Sequence, residues 1–466
     1  MQGLLWLKLN HMDNIENPDF FHREDVVILF TTSLAGLGHV RVTEALRRGL
    51  PTDIRPELIG INDQKIQFFH RITTRNRVLR NVGDFIQNSP IAEGIFTYIY
   101  RRTLRRGTDD VISQISDLIK RRRPKPNVLV IISTHFGLAH KIASIKEKLS
   151  KELKMCVILC VIVTDDSPQD IWGVYGADYI FVPSEYTKDE LTSYLRNIQA
   201  TLPSIIVSPY PVSPLFAEDL PRSEFENRCL QVKGSGDEMV QIIIPISGAA
   251  VQLSYFKTII AYLDRKSKAK ILVISRDSSY TKEFLRWCEE TPAVEVIAES
   301  ADRDIVASYE RELGRRTISL EITKPSEQSF KALLSPKQRG GVILLFSEPV
   351  GRQERDNLSF LERYGLIPNM NDQKIIFNLY EKENRAKIDS DFLKRSRSWR
   401  GLLLPKNGYK AGRVVFWLKK TGILANMMDF EEFPKSEELS GDSVKIFWYK
   451  LEGLVKNQCS ALQKDK

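Results

Sequence analysis

Two histidines follow short apolar runs in this sequence of 466 residues. His39 lies in "TSLAGLGHV" and His135 lies in "ISTHFG". A histidine side chain titrates near neutral pH and can accept a proton from a hydroxyl group. Gly36 and Gly38 let the backbone approach a ligand beside His39, and a helix that starts there offers unpaired N–H groups. These residues predict a site for binding or proton transfer, and a turn with a helix-capping histidine is the structural alternative.

Paired carboxylates follow another apolar run, in "VTDDSPQDIW". Aspartates in this position commonly cap the next helix, and they also line sites at the ends of strands. We place Asp165 with His135 among the residues that line a ligand-binding cleft at these strand ends. The segment has no D-x-D triplet, and we expect neither a bound metal nor a cofactor.

Three later loops have the residue types that bind polar ligands. "PISGAA" (245–250) is a small-residue loop that would admit a diphosphate, and "ITKPSEQSF" (322–330) places Glu327 near the start of a helix. "SEPVGRQERDN" (347–357) combines amides with carboxylates, which offer donors and acceptors to a hydroxyl-rich ligand. Each loop alone is also compatible with a capped helix, but their recurrence at one sheet edge favours a binding site.

Ten short runs rich in β-branched residues alternate with helix-patterned segments. Runs that are apolar on both faces predict parallel strands covered by helices, and therefore an α/β fold. Ligands in such folds bind at the carboxyl ends of strands, where the loops above lie. The runs are 25–32, 127–134, 156–164, 179–184 and 204–212, followed by 241–248, 270–275, 294–298, 318–324 and 341–347.

A change in composition around 213–238, with prolines, charges and "GSG", predicts a domain boundary. We expect two doubly wound, Rossmann-like domains that face each other across a cleft, with a helical extension at the C-terminus. The predicted segments are 1–215 for the first domain, 216–235 for the linker, 236–385 for the second domain and 386–466 for the extension.

The composition is that of a globular protein with a basic excess. The net charge is +9 and the pI is about 9.1, which permits an anionic partner. No RNA-binding motif accompanies the charge, so we expect no nucleic-acid partner. The five scattered cysteines and the absence of a secretory pattern or an 18-residue apolar run predict a cytoplasmic protein.

Five short motifs occur in order between residues 26 and 370. They are "AGLGHVRVTEAL", "ISTHFG…VTDDSPQDIWGVYGADYIFVPSE", "SPYPVSPLF", "TKPSE" and "EPVGRQERDN". In type and order they resemble the motifs of the GT-B glycosyltransferases typified by monogalactosyldiacylglycerol synthase and the N-acetylglucosaminyltransferase of lipid II synthesis. The sequence departs from that pattern at Ser326 and Glu327, which replace a pair of glycines, and it lacks the "S-E-A" segment.

The resemblance implies inverting, metal-independent transfer of a sugar from a nucleotide diphosphate, with UDP as the expected nucleotide. His39 would be the base that activates the acceptor hydroxyl, and Glu327 would contact the ribose. The residues that the resemblance and the three loops assign to the donor are Ser247, Gly248, Lys324, Glu327, Gly351, Gln353, Glu354 and Asn357.

A basic and aromatic segment, 64–106, separates the first two predicted strands. The resemblance implies that it docks on an anionic membrane lipid at the inner face of the cell membrane, with Phe68, Phe69, Phe96 and Tyr98 in the interface. A solvated helix face is the structural alternative. The arginines of this segment are Arg71, Arg75, Arg77, Arg80, Arg101, Arg102, Arg105 and Arg106.

Two other functions remain open from the sequence. A GT-B-like sugar-nucleotide epimerase would need more carboxylates at the cleft than the motifs supply. A catalytically degenerate relative would bind a nucleotide-sugar or a partner without turnover, and the glycines missing at 249–250 and 326–327 favour it. The oligomeric state cannot be derived from the sequence.

Overall fold

The computed structural model divides the chain into two compact units. The first consists of Met1–Pro214 together with Ser436–Lys466, and the second is Leu215–Lys435. The residues that the structure describes are 19–33, 36–60, 97–99, 101–105, 107–234, 238–247, 250–266, 268–382 and 388–464.

The first unit contains a six-stranded parallel sheet in the order β2-β1-β3-β4-β5-β6. Its central strands are apolar on both faces, because helices cover both sides of the sheet. The strands are β1 (Val26–Thr31), β2 (Glu57–Ile59), β3 (Val128–Ser133), β4 (Cys156–Ile162), β5 (Tyr179–Val182) and β6 (Ser204–Val207). The helices are α1 (Leu37–Arg48), α2 (Asp109–Arg121), α3 (Phe136–Leu153) and α4 (Glu185–Asn197), and a 3₁₀ turn spans Asp170–Trp172.

The second unit contains another six-stranded parallel sheet, in the order β12-β11-β10-β7-β8-β9. The strands are β7 (Val240–Pro245), β8 (Ala269–Arg276), β9 (Val294–Glu299), β10 (Leu320–Thr323), β11 (Ile343–Phe346) and β12 (Gly401–Leu403). The helices are α5 (Pro214–Ala217), α6 (Arg222–Val232), α7 (Leu253–Arg265), α8 (Lys282–Glu289), α9 (Asp302–Arg315), α10 (Arg352–Arg363), α11 (Met370–Glu381), α12 (Ser390–Arg395), α13 (Gly408–Lys420) and α14 (Ile423–Met428). A 3₁₀ segment spans Glu327–Leu333.

In each sheet the order in which the chain adds strands reverses at one point, and this point predicts where a ligand binds. In the first sheet the chain order reverses between β1 and β3, and in the second it reverses between β7 and β10. Crevices at such switch points, outside the carboxyl ends of the strands, are the usual ligand sites of open α/β sheets. The predicted doubly wound α/β class is therefore confirmed, and each unit has one expected binding edge.

The domain boundaries differ from those predicted from the sequence. The segment expected to be a linker contains α6, which packs in the second unit and buries the Arg228 side chain completely. Arg228 donates to the carbonyls of Pro336, Gln338 and Arg339 at 2.7–2.8 Å. An arginine with this many internal acceptors belongs to a folded core and not to a flexible connection.

The expected C-terminal extension is split between the two units. Its first part supplies β12 and α13 to the second unit, where Gly412 packs so closely that a Cβ would lie 2.8 Å from Tyr262 Cβ. Its last part is a long helix, α15 (Ser443–Lys464), which belongs to the first unit. Trp448 Nε1 donates to the Leu46 carbonyl at 2.9 Å, and the Phe447 ring contacts Phe181. The extension is helical as expected, but it completes both cores.

Candidate functional site

His39 and His135 meet at the switch point of the first sheet. His39 lies in the first turn of α1, and His135 is the residue before α3, so β1 and β3 bring them together. The ring centroids are 5.0 Å apart in an edge-to-face arrangement. His135 is 2% exposed, and its Nδ1 accepts a hydrogen bond from the Gly137 amide at 3.1 Å, whereas His39 is half-buried. His135 is thus a capping and lining residue, and His39 is the histidine nearer to solvent.

The His39 ring is oriented by groups from two further strand ends. Its Nδ1 lies 3.2 Å from the Thr164 hydroxyl, which follows β4. The buried Trp172 ring lies 6.1 Å away, and Phe136 lies 6.4 Å away. When Nδ1 is the donor in its contact with Thr164, Nε2 is the basic nitrogen of a neutral ring. The hydrogen position is an assignment from this geometry.

Buried threonines connect α1 to the sheet below His39. The Thr43 hydroxyl donates to the His39 carbonyl at 2.8 Å and lies 2.8 Å from the Thr134 hydroxyl. Thr134 in turn donates to Thr32 at 3.0 Å. These bonds join the ends of β1 and β3 to the helix, so the first turn of α1 has a fixed position.

Gly36 has a conformational role at the start of α1. Its φ of +140° lies in a region that residues with a Cβ rarely adopt, and it is the residue immediately before the helix. A Cβ at this position would meet no atom within 4 Å. The glycine is therefore required by the backbone, whereas Gly38 belongs to the first turn of the helix, beside His39.

The two aspartates after β4 have different environments. Asp166 is fully buried, where it accepts hydrogen bonds from the hydroxyls of Ser184 and Thr187 at the start of α4. Asp166 therefore supports a helix terminus, as the capping interpretation expects. Asp165 is half-buried at the same strand end, next to Thr164.

In the second unit, hydrogen bonds connect the loops that follow β7 and β11. Gln252 donates to the Glu348 carbonyl at 3.0 Å and accepts from the Ser347 hydroxyl at 2.8 Å. Ala250 and Gln252 have φ values of 48° and 63°, which are strained for residues other than glycine. Since β10 lies between β7 and β11, these contacts bring three strand-end loops to one edge.

The loops after β10 and β11 are joined by a second set of contacts. Lys324 forms an ion pair with Glu354, whose other carboxylate oxygen accepts from the Val350 amide at 2.8 Å. The Asn357 side chain is fully buried and donates to the Pro325 carbonyl at 3.4 Å. Lys324, Glu354 and Asn357 are thus brought together as predicted, and these contacts hold the loops in place.

The remaining predicted donor residues lie around this edge. Glu327 is half-buried at the start of a 3₁₀ segment, and Gly351 is the residue before α10. Gln353 is exposed on the first turn of α10. Ser247 lies just after β7, and its hydroxyl is buried without a hydrogen-bond partner among the described residues. Gly248 lies outside the described residues.

Sequence reasoning missed Thr164, Trp172 and Gln252. Thr164 stands immediately before the aspartate pair in "VTDD", and a polar residue at the end of an apolar run was the available signal. Gln252 gave no local signal, because its role depends on contact with a loop about a hundred residues away. In the described ranges, no cluster of three or more histidine, cysteine or acidic side chains is arranged to hold a metal ion.

The basic segment 64–106 is described only in part. Phe68, Phe69, Phe96 and the arginines at 71, 75, 77, 80 and 106 lie outside the described residues. Tyr98 is 64% exposed and Arg102 is also exposed. Arg101 and Arg105, however, point inward and pack on the Tyr175 ring. The expectation that the arginines of this segment face an open bilayer surface is therefore wrong for Arg101, which is 5% exposed, whereas Arg105 is half-buried. Among all the residues that the structure describes, no helix is both long and apolar enough to cross a membrane.

The strand orders and the two switch-point sites define a protein of two Rossmann-like units with a histidine pair in the first and a polar three-loop edge in the second. No protein-family model matches the chain. The chain is 26% identical over 205 residues to a processive diacylglycerol β-glucosyltransferase of Bacillus pumilus (strain SAFR-032). This match covers 44% of the chain and 48% of the relative, so the chain spans about half the length of the curated relative. This match confirms the resemblance to glycolipid glycosyltransferases that the sequence motifs indicate.

Several solved structures have a similar overall architecture. A UDP-GlcNAc 2-epimerase from Neisseria meningitidis bound to UDP-GlcNAc is 13% identical, with a TM-score of 0.47 over 92% of this chain and 99% of that one. An Acinetobacter baumannii MurG is 8% identical, with a TM-score of 0.43 over 93% of this chain and 99% of that one. Both scores lie below 0.5, and the fold assignment rests on the strand orders above.

Proposed function

We propose that this protein is a glycosyltransferase that transfers a sugar from a nucleotide-diphosphate donor to a hydroxyl acceptor. The observation that carries the proposal is the half-buried His39 at the switch point of the first sheet, with Nδ1 beside Thr164 and the ring against His135. The similarity to a glycolipid glucosyltransferase supports the same activity.

The proposed reaction proceeds with inversion at the sugar. His39 Nε2 accepts the proton of the acceptor hydroxyl while the acceptor oxygen bonds to the anomeric carbon and the bond to the diphosphate oxygen breaks. The negative charge that develops on the diphosphate is stabilised by loop amides and helix N-termini of the second unit. In this proposal no metal ion takes part, so we expect a chelator to leave the transfer rate unchanged.

The donor is proposed to bind at the second unit's edge, with UDP as its nucleotide. The loops there combine the Lys324–Glu354 ion pair, the exposed Gln353 and the Glu327 carboxylate. Glu327 is the proposed ribose contact, since a carboxylate accepts from two hydroxyl groups. The strained backbone at Ala250 and Gln252 supports a functional role for this edge.

The acceptor is proposed to be a lipid, reached from the inner face of the cell membrane. The similarity to a diacylglycerol glucosyltransferase and the exposed side chains Tyr98, Ile99 and Arg102 support this proposal. A basic residue near an anionic surface contributes about 1 kcal/mol, and salt screens the attraction. Co-sedimentation should show binding to anionic vesicles at low salt and release at high salt. Equal sedimentation with anionic and neutral vesicles would contradict lipid docking.

The experiment that tests the activity has two steps. UDP-, GDP- and TDP-sugars are screened for thermal stabilisation of the full chain, because a ligand that binds only the folded state raises the melting temperature. Each stabilising donor is then tested in mixed micelles for transfer to diacylglycerol and to phosphatidylglycerol, whose head group carries both a phosphate and hydroxyl groups. Stabilisation by a UDP-sugar with formation of a glycolipid supports the proposal.

Two other results would identify the alternatives. Stabilisation by a UDP-sugar without transfer or hydrolysis would indicate a non-catalytic binding protein, which the internal bonding of Glu354 and Asn357 favours as the second candidate. Conversion of one UDP-sugar into its epimer would indicate an epimerase. No stabilisation by any of the three nucleotides would overturn the proposal.

A further inference from the structure

Arg101 and Arg105 form a buried cationic pair in the first unit. Both guanidinium groups lie over the Tyr175 ring, at 5.1 Å and 3.7 Å from its centroid. Arg101 is 5% exposed, and Arg105 is half-buried. Two like charges at this proximity repel, and burial of each costs further free energy unless an anion or enough hydrogen-bond acceptors compensate.

Hydrogen-bond acceptors among the described residues compensate the two buried charges only in part. Arg101 donates to the Tyr194 hydroxyl at 2.5 Å, and Arg105 donates to the Tyr175 carbonyl at 3.2 Å. The Nε atoms of both are buried without a hydrogen-bond partner, and no carboxylate among the described residues forms an ion pair with either guanidinium group. Burial and the nearby Arg101 charge lower the pKa of Arg105.

A second pair of buried arginines in the same protein provides a comparison. Arg228 and Arg400 in the second unit are both fully buried, and no carboxylate among the described residues forms an ion pair with either. Backbone carbonyls compensate them, with three bonds to Arg228 and four to Arg400. Arg228 Nε also has no hydrogen-bond partner in the described part of the chain, so the difference lies in the number of acceptors, which is one each for Arg101 and Arg105.

Arg101 and Arg105 lie beside His39 and His135, where the acceptor is proposed to bind. Leu104, between the two arginines, lies 3.4 Å from the Cβ position of Gly137, and the His135 ring lies 2.9 Å from the same position. Tyr175 follows the 3₁₀ turn that ends at Trp172, whose ring packs on His39. Arg105 and Tyr175 are half-buried, so the cationic pair reaches the surface on this side.

We propose that Arg101 and Arg105 bind a phosphate group carried by the acceptor. Guanidinium groups match phosphate oxygens through paired N–H donors, and a phosphate would neutralise both charges at once. The inference deepens the proposed function, on which it rests, by assigning a phosphate-bearing molecule as the acceptor class.

The test uses glycerol 3-phosphate as a soluble probe and the full-length protein at constant ionic strength. Thermal stabilisation over a titration gives an apparent Kd. Arg105→Gln should raise that Kd by about 10-fold or more, the loss expected for one charge-assisted contact. Arg121→Gln is the matched control, because it removes the same charge from an exposed position at the end of α2, and its Kd should stay within about 2-fold of the wild type.

A conservative variant separates binding from folding. Arg105→Lys keeps the charge but loses the paired donors, so its Kd should also rise. Vesicles with phosphatidate, compared with phosphatidylcholine alone, distinguish a lipid-borne phosphate from a soluble one. Absence of stabilisation at about 10 mM probe together with absence of phosphatidate-dependent binding, equal effects of the Arg121 and Arg105 variants, or a wild-type Kd for Arg105→Lys would overturn the inference.

UDP-sugar binding is measured on the same preparations. Loss of probe binding with nucleotide-sugar binding and transfer intact contradicts only the phosphate site. Retained probe binding without nucleotide-sugar binding contradicts only the proposed function.

Discussion

His39 combines a fixed ring with partial exposure, which is the combination a general base requires. Thr164 and the aromatic rings orient the imidazole, and the threonines below hold the start of α1. His135 differs because its Nδ1 accepts from an amide and its side chain is almost fully buried. The two histidines of the sequence motifs therefore have unequal roles.

The first prediction concerns His39. His39→Ala should lower the transfer rate by about 100- to 10,000-fold, the usual contribution of a general base, while thermal stability and donor binding stay near wild type. The measurement is initial-rate transfer with the donor identified by stabilisation. A variant that keeps more than about a tenth of wild-type turnover would remove His39 from this role.

The second prediction concerns His140, which is fully buried on α3. Its Nε2 donates to the Ile171 carbonyl at 2.9 Å, and burial, together with the charges of Arg101 and Arg105, lowers the pKa to about 3. The unfolded chain therefore binds a proton near pH 6.5 that the folded chain does not bind until about pH 3. This stability contribution is complete above pH 6.5 and is lost as the pH falls.

His140→Gln should remove this pH dependence while keeping a donor for the Ile171 carbonyl. Between pH 7 and pH 5 the free energy of unfolding of the wild type should fall by about 2 kcal/mol more than that of the variant. Urea unfolding at both pH values gives the difference. Equal losses in the two proteins would show that His140 is not the group responsible.

At the scale of elements, the polar loops of the second unit divide into supporting and exposed residues. Glu354 and Asn357 hold the loops through Lys324, Val350 and Pro325, whereas Gln353 is exposed on the same turn of α10. Substitution of a supporting residue changes both stability and binding. Gln353 is the more exposed residue, so its substitution should change stability less than that of Glu354 or Asn357.

The third prediction compares residues of α10. Gln353→Ala should weaken UDP-sugar binding by about 10-fold with little change in melting temperature, because it removes an exposed amide. Arg355→Ala, also exposed on α10, is the control and should bind as the wild type does. Asn357→Ala should lower both affinity and stability. Calorimetric titration and thermal unfolding measure the two effects, and unchanged binding by Gln353→Ala would exclude it as a donor contact.

The sequence predicted the long strands but not the short ones. All ten apolar runs contain a strand, because each is long enough to show the apolar, β-branched composition of a strand, although β6 and β9 are not fully buried. The edge strands β2 and β12 have three residues each, which is too short for a periodic pattern. β12 depends on its neighbours: it pairs with β11, and the adjacent Arg400 is fully buried.

The sequence also predicted only part of the candidate site. Strand-end position was enough to predict His39, His135 and the three loops of the second unit, since topology brings strand ends together. The inward orientation of Arg101 was not predictable, because a run of arginines near aromatics is equally typical of a surface and of a cation–π cluster.

At the scale of the whole molecule, the second unit is continuous in sequence. Its core includes β12, α13 and α14, so it extends to residue 435 and not to 385. Residues such as Leu402, Val414 and Leu424 are fully buried in that core. The boundaries read from the sequence would cut through it.

The fourth prediction follows from these boundaries. A fragment of residues 215–435 should unfold cooperatively and bind the UDP-sugar, whereas a fragment of 236–385 should lack a cooperative transition, because it omits an edge strand and four helices that contribute to the core. Circular dichroism during heating and calorimetric titration are the measurements. A cooperative 236–385 fragment with wild-type affinity would show that the C-terminal helices are dispensable.

The first unit, by contrast, is interrupted by the whole of the second. α15 buries Trp448 and Leu451 in the first unit, about 220 residues after that unit's earlier part ends. During synthesis at 5–20 residues per second, the first sheet would wait on the order of 10–50 s for its last helix. The second unit can finish folding in that interval, while the surface that receives Trp448 stays uncovered. Chaperone demand at the ribosome should therefore come mainly from the half of the protein that is made first.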